Sequence, residues 1–499
     1  MTDVHRVDVP LIVGGGVAGM TAALTLDESV ILTTDLPGSS WWAQGGISIK
    51  SAFTDGAKQD RWSDLTDPAA VERIAGDGPE AVDWLRTEAE SLVTDNGEQT
   101  VLGEEGIEGL DRAIETGNDA TGAEVMRVLN SSLASRDSVK RLLGRAIDLI
   151  TDGERVVGVV AVDSRARQRI VMAPAVVIAT GGLGRLYQRT TNPRGSDGSG
   201  LAMAIRAGAR VADLEFVQFH PTAMTVAKDP LPMVSERVRR RGAILVDAHG
   251  RRFMAGIHSD AELAPPGLLA RAIWRQSVRG AGAYLDARHV HELADHHPTL
   301  LAHAMSVGID PRTDLVPVGA AAHYQIGGVA TDLEGRTSLP GLWAVGEAAS
   351  TGLHGSTRLL SNALLEGIVF GRRVARSVAA EAETPGDVAY CPVDSRDLPV
   401  TPGPAFEELR KLMWEHVGLE RDGDGLWRAH NELTALVPVL RRTLAGRDAA
   451  TVAIQVVAAA LRRTESRGSH YRIDHQATDP SQAARVVVEP GPVEVERLV

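Results

Sequence analysis

Apolar positions cluster from Val7 to Val13, give way to Gly14-Gly15-Gly16, and return as an Ala- and Leu-rich stretch to about Leu26, followed by a short apolar run, Val30 to Thr33. Strand, glycine turn, helix and strand in that order predict a βαβ unit at the start of the chain. Helical spacing predicts a helix from about Asp67 to Leu92, and Gly97 to Gly122 reads as a loop region rich in Gly and Glu. Val156 to Val162 and Ile170 to Ala179 read as strands, and Gly200 to Gly208 as a short helix. Val234 to Ser277 mixes basic and turn-forming residues, as an inserted domain would, and Glu292 to Met305 reads as a helix. Strand patterns return near Gly327 and end in Leu342-Trp343-Ala344-Val345-Gly346-Glu347, and a helix covers Leu359 to Ala380. Prolines between Thr384 and Pro404 mark a linker; amphipathic helices follow at about 405–416, 425–443 and 448–463, and Asp479 to Val499 reads as an irregular tail.

Composition narrows the classes. A length of 499 residues allows two to four domains of roughly 100–200 residues. With 43% hydrophobic and 23% charged residues the chain is neither fibrous nor largely disordered. The formal charge of -13 argues against a nucleic-acid partner, and the short run Arg237 to Arg241 lacks the interleaved aromatics of a nucleic-acid patch. No window approaches the roughly 20 apolar residues of a membrane span, and the N-terminus lacks the layout of a signal peptide, so no membrane is expected. The single cysteine, Cys391, excludes an internal disulfide and a cysteine-ligated iron–sulfur cluster and fits a cytoplasmic location. His289, His291, His296, His297 and His303 lack tight zinc spacing, so no metal is expected.

The glycine turn carries the first chemistry. In Gly14-x-Gly16-x-x-Gly19, Gly14 permits the tight turn, Gly16 lets backbone approach phosphates, and Gly19 lets helix and strand pack closely. The helix N-terminus supplies N–H donors and a positive dipole, so the unit suits a pyrophosphate. No Asp or Glu clearly ends the second strand, where Thr34 and Asp35 are the nearest polar groups; this weakens an NAD reading and leaves FAD. Ala43-Gln44-Gly45-Gly46 after bulky Trp41-Trp42, Thr180-Gly181-Gly182 closing a strand, and Glu347 at a strand end, suited to a ribitol or ribose hydroxyl, complete the set.

Together these segments resemble the flavin-binding set of the succinate dehydrogenase/fumarate reductase flavoprotein superfamily. Thr190-Thr191-Asn192-Pro193, Glu215-Phe216-Val217-Gln218-Phe219-His220-Pro221, Ala322-His323-Tyr324, Leu353-His354-Gly355 leading to Arg358 and Asn362, and Glu465-Ser466-Arg467-Gly468-Ser469-His470-Tyr471 are similar to the L-aspartate oxidase family in particular. The resemblance implies an α/β fold: a Rossmann-like FAD-binding domain (1–222 and 326–390), an inserted capping domain (223–325), a linker (391–404), a C-terminal helical domain (405–475) and a tail (476–499). It implies oxidation of L-aspartate to iminoaspartate with oxygen or fumarate as acceptor, the first step of quinolinate and NAD synthesis, with quinolinate synthase as the implied partner. Ser39 stands at about the position where respiratory relatives carry a flavin-linked histidine, so the FAD is expected to be held non-covalently.

The resemblance nominates His220, His323 and Arg358, with Gln218 and Ser235, to bind a small dicarboxylate, Glu105 to read its amino group, and Glu236 and Arg239 as a proton-relay pair. It also exposes departures. The superfamily's proton-donating arginine stands at Pro266, which has no titratable group, while extra cations follow at Arg240 and Arg241. Two other readings therefore stay open: an FAD-binding paralogue with impaired catalysis acting as a binding or regulatory protein, and a soluble fumarate reductase-like enzyme for another dicarboxylate.

Overall fold

The computed structural model describes residues 3–48, 65–90, 104–107, 110–114, 120–165, 167–359, 362–384 and 398–489. Its centre is a five-stranded parallel sheet in the order Leu342–Ala344, Val176–Ile178, Leu11–Val13, Ser29–Thr33, Val139–Leu143. The first three are apolar along their whole length and buried, as expected of a parallel sheet covered on both faces. The helix Val17–Thr25 leaves the first strand through the glycine turn and packs on the helix Ala363–Glu381. The approach is close: a Cβ at Gly371 would lie 2.9 Å from the carbonyl oxygen of Ala18.

A second, mainly antiparallel sheet joins Asp3–Arg6, Gln168–Met172, Val156–Val162 and Arg145–Thr151. The run Ile170 to Ala179, expected as one strand, is therefore two strands in different sheets. Pro174 separates them, since it has no N–H for a ladder and a fixed φ. The helix expected over Glu292 to Met305 is likewise split into Leu293–His296 and Pro298–Met305, with Pro298 opening the second. The Gly- and Glu-rich region contains the paired strands Glu104–Ile107 and Leu110–Ile114.

Val217–Met224, Val316–Gln325, Tyr284–Asp286 and Ile244–Val246 form an antiparallel sheet with a separate apolar core that includes Val238, Leu245, Leu269, Ile273 and Leu285. The C-terminal helices Pro404–His416, Gly423–Leu440 and Leu444–Arg462 share one core with the central sheet. Leu444–Arg462 is the one described helix long and apolar enough to cross a membrane, and 72% of its apolar window is buried inside the protein. The segment expected as an irregular tail is docked as far as it is described. Val487–Val488 pairs with Val211–Ala212, and Arg485 Nε donates to Asp213 Oδ2 at 2.7 Å. Cys391 lies outside the described residues.

His297 is 1% exposed and neither ring nitrogen has a hydrogen-bond partner. Burial, reinforced by Arg241, Arg237 and His296, pushes its imidazole down to about 4. An unfolded histidine titrates near 6.5, so between these values the unfolded chain binds the extra proton. The stabilising contribution of neutral His297 is complete above about pH 6.5 and lost as pH falls toward 4. The melting temperature of His297→Phe is therefore expected to gain on that of the wild type as pH is lowered through this window, measured by calorimetry at each pH.

Candidate active site

The parallel strands converge on one cavity. Its walls include Val13 to Gly16, Thr33 and Thr34, Ala179 to Gly181, and Val345 to Glu347, all at carboxyl ends of strands. This is where open α/β sheets place ligands. The volume is about 1530 Å³, above the roughly 300–1,000 Å³ of a pocket for one small ligand.

One end is built by glycine. Gly14 has φ +121°, and a Cβ there would lie 2.2 Å from the carbonyl oxygen of Ala179. Only glycine permits both the backbone angle and the contact. Behind the lining, a Cβ at Gly19 would meet Gly14 O at 2.1 Å, and one at Gly182 would meet Glu347 Oε1 at 2.2 Å. Gly16 and the N-terminus of the first helix face the cavity. Glu347 Oε1 accepts from Gln325 N at 2.9 Å, and burial pushes its carboxyl up to about 7. Thr180 Oγ1 is buried without a partner. Ala43, Gln44, Gly45, Gly46 and Asn362 also line the cavity, and Gln44 Nε2 donates to Met233 O at 3.5 Å. A glycine cradle at a helix N-terminus and a strand-end carboxylate fit the pyrophosphate and polyol parts of FAD. Ser39 Oγ hydrogen-bonds Ser196 Oγ at 2.8 Å.

The other end gathers Gln218, His220, Ser235, Glu236, His323 and Arg358 from four stretches of chain. Gln218 and His220 ride on Val217–Met224, and His323 on the partner strand Val316–Gln325. The two imidazoles stand edge to face with ring centroids 5.2 Å apart. Thr222 N donates to His220 Nδ1 at 3.2 Å, so a neutral His220 carries its proton on Nε2. Burial, then Arg239 and Arg358, pushes His220 down to about 3. His323 Nδ1 lies 2.8 Å from Thr191 Oγ1, and burial with Arg358 and His220 holds its ring well below the usual range. Both histidines are thus neutral at physiological pH.

Arg358 Nη1 donates to Gln218 Oε1 at 3.3 Å, and its guanidinium lies 4.2 Å from the Tyr324 ring centroid. Among the described residues its Nε has no partner and no carboxylate forms an ion pair with it, while Glu347 and Glu366 act on it from farther away. Arg239 is 5% exposed, donates to Glu262 O at 2.6 Å, and leaves Nε without a partner. Burial pulls it down to about 10. Both cations act on His220. Arg358 and Arg239 make no ion pair among the described residues and feel carboxylates only from farther away, and Arg358, at the cavity wall, favours an anion there.

The expected relay pair is arranged differently. Arg239 lies behind the lining, whereas Arg237 and Arg240 reach the cavity and Glu236 Oε1 pairs with Arg240 Nη2 at 2.6 Å. Ser235 Oγ caps this helix by accepting from Arg237 N at 3.3 Å. Pro266 lines the cavity and opens the helix Pro266–Val278. Glu105 pairs with Ala113 on the strand Glu104–Ile107, and its side chain lies outside the described residues. Sequence reasoning assigned no role to Thr191, Tyr324, His354 or Glu366. A carboxylate inside the apolar run Leu364-Leu365-Glu366-Gly367-Ile368 was the available signal.

Residues 9–364 match the FAD binding domain family, and residues 438–489 match the fumarate reductase flavoprotein C-terminal family. The chain is 41% identical to the L-aspartate oxidase of Caulobacter vibrioides over 94% of both proteins. It is 40% identical to that of Streptomyces coelicolor, over 96% of this chain and 90% of the relative. Among solved structures, a quinol-fumarate reductase with menaquinol molecules superposes with a TM-score of 0.84 at 25% identity, covering 96% of this chain and 94% of that one.

Proposed function

We propose, from the premise that the chain belongs to the L-aspartate oxidase family, that it oxidises L-aspartate to iminoaspartate with FAD as its cofactor, opening quinolinate and NAD biosynthesis. The observation that carries the reading is the cavity: a glycine cradle at one end, and at the other Arg358 beside His220 and His323, with the Arg239 charge behind the wall. FAD, held by the glycine cradle at Gly14 and Gly16 and by Glu347, would supply the two-electron oxidant; the substrate would lose a hydride from Cα and one N–H proton, the proton passing to Glu236, as its C=N bond forms. With Ser39 at the position of the flavin-linked histidine of respiratory relatives, the cofactor is held non-covalently.

Arg358 grips one substrate carboxylate, with His220 donating through Nε2–H and His323 beside it. Neutral imidazoles suit this task, since they donate without adding charge that would hold the product. Arg239 supplies positive potential from behind the wall, Gln218 steadies Arg358, and Ser235 caps the helix that presents Glu236. Glu236, at the cavity wall and paired with Arg240, is the carboxylate placed to hold a proton; Glu105 reads the substrate amino group. The segment 223–325 acts as a cap that excludes water. The electron acceptor is oxygen or fumarate, quinolinate synthase receives the unstable product, and the setting is the cytoplasm. The test is peroxide release on adding L-aspartate to the aerated holoprotein. Peroxide with aspartate and none with succinate supports the reading; no peroxide in air together with no succinate formed from fumarate in its absence contradicts it.

Pro266 favours attention to one further reading, a chain poor in the reductive direction. It brings no proton donor to a wall that fumarate reduction needs one on. Fumarate reduction by a reduced dye is expected to be slow, and Pro266→Arg to raise it by about tenfold or more, followed by dye absorbance. An unchanged rate would mean that this position does not limit the reduction.

A further inference from the structure

Beside the substrate end lies a buried polar cluster that none of the roles above uses. Tyr324, His354 and Glu366 are 6%, 4% and 2% exposed. Glu366 Oε2 accepts from Tyr324 Oη at 3.2 Å and from His354 Nε2 at 3.1 Å, and Glu366 Oε1 accepts from Thr351 Oγ1 at 2.8 Å. Leu359 N donates to His354 Nδ1 at 3.1 Å, so a neutral His354 keeps its proton on Nε2 and gives it to Glu366. His354 therefore ties the residue after Arg358 to the helix Ala363–Glu381.

The same cluster fixes the Tyr324 ring. Its hydroxyl is held by Glu366, and its edge meets the His354 ring at 87° with centroids 5.3 Å apart. Its face carries the Arg358 guanidinium at 4.2 Å. A guanidinium has a long, rotamer-rich stem, and Gln218 alone, at 3.3 Å, is a weak restraint on it. An aromatic face shielded from bulk water orients a guanidinium plane while leaving its N–H edge free for a carboxylate.

We propose that Tyr324 is a positioning residue of the reaction: its ring, locked by Glu366 and His354, is the shelf on which Arg358 is held ready for the substrate carboxylate. This rests on the reading that Arg358 binds a carboxylate of the substrate. The shelf acts on binding, so its loss raises KM and leaves kcat nearly intact.

The test uses the flavin-loaded protein. L-Aspartate turnover gives KM and kcat, and titration with succinate, followed by the flavin spectrum, gives a Kd that needs no turnover. Tyr324→Leu is expected to raise both KM and the succinate Kd by about tenfold, with kcat changed by less than about threefold. Tyr324→Phe, which keeps the face, stays within about threefold of the wild type. In an Arg358→Leu background, Tyr324→Leu adds no further loss, because the group it positions is gone. Should Tyr324→Leu fail to retain flavin, Tyr324→Met reads the same loss. Equal losses in the Phe and Leu variants, or a full loss repeated on top of Arg358→Leu, would overturn the proposal. If the wild type fails to oxidise aspartate, the proposed activity falls, while the succinate series still decides the shelf.

Discussion

Arg358→Leu lowers kcat/KM for L-aspartate by about a thousandfold, most of it through KM. The guanidinium faces the cavity beside His220 and His323, and Glu347 and Glu366 act on it only from beyond ion-pair distance, so on the proposed reading a substrate carboxylate is its counter-charge. Removing one partner of an enclosed, hydrogen-bonded ion pair costs about 2–5 kcal/mol, and a thousandfold lies inside that range. Leucine also leaves the two imidazoles to hold a carboxylate without a cation. Arg358→Lys recovers only part of the loss, since a point charge lacks the planar fork. Steady-state kinetics at saturating acceptor reads the effect. A loss confined to kcat would place Arg358 outside substrate binding.

Gly14→Ala yields protein nearly free of flavin. The substitution puts a methyl 2.2 Å from the carbonyl oxygen of Ala179 at a backbone φ of +121°, so either the turn or the neighbouring strand end must move. Both line the cavity proposed to hold the cofactor. The flavin-to-protein absorbance ratio is expected to fall below about a tenth of the wild-type value, with reconstitution failing at FAD concentrations that restore the wild type. Gly76→Ala is the control, since a Cβ there meets nothing within 4 Å and the residue does not line the cavity. Equal flavin retention in both variants would show that the turn does not carry the cofactor.

What could be read from the residues followed what local chemistry dictates. The strand–glycine–helix opening was legible because a turn with φ above zero and a close helix crossing both demand glycine at fixed spacing. The C-terminal helices were legible from periodicity, and they occupy Pro404–His416, Gly423–Leu440 and Leu444–Arg462. Pairing between distant strands was not. Nothing in Ile170 to Ala179 says that its halves join different sheets, although Pro174 was a visible break. At the site, residue types named the chemistry and geometry chose the members. Glu236 has Arg239 at three residues and Arg240 at four; both spacings share a helix face, and Arg240 makes the ion pair. The Tyr324–His354–Glu366 cluster depends on a contact between a strand and a helix, which no local pattern announces.

The most direct test of the account is anaerobic mixing of the yellow holoprotein with L-aspartate, followed at the flavin absorbance band. The account predicts bleaching by L-aspartate, a spectral shift without bleaching by succinate, and recovery of the band on admitting oxygen, with slower recovery on fumarate. A flavin that stays oxidised at saturating L-aspartate, in protein that still binds succinate, would contradict it.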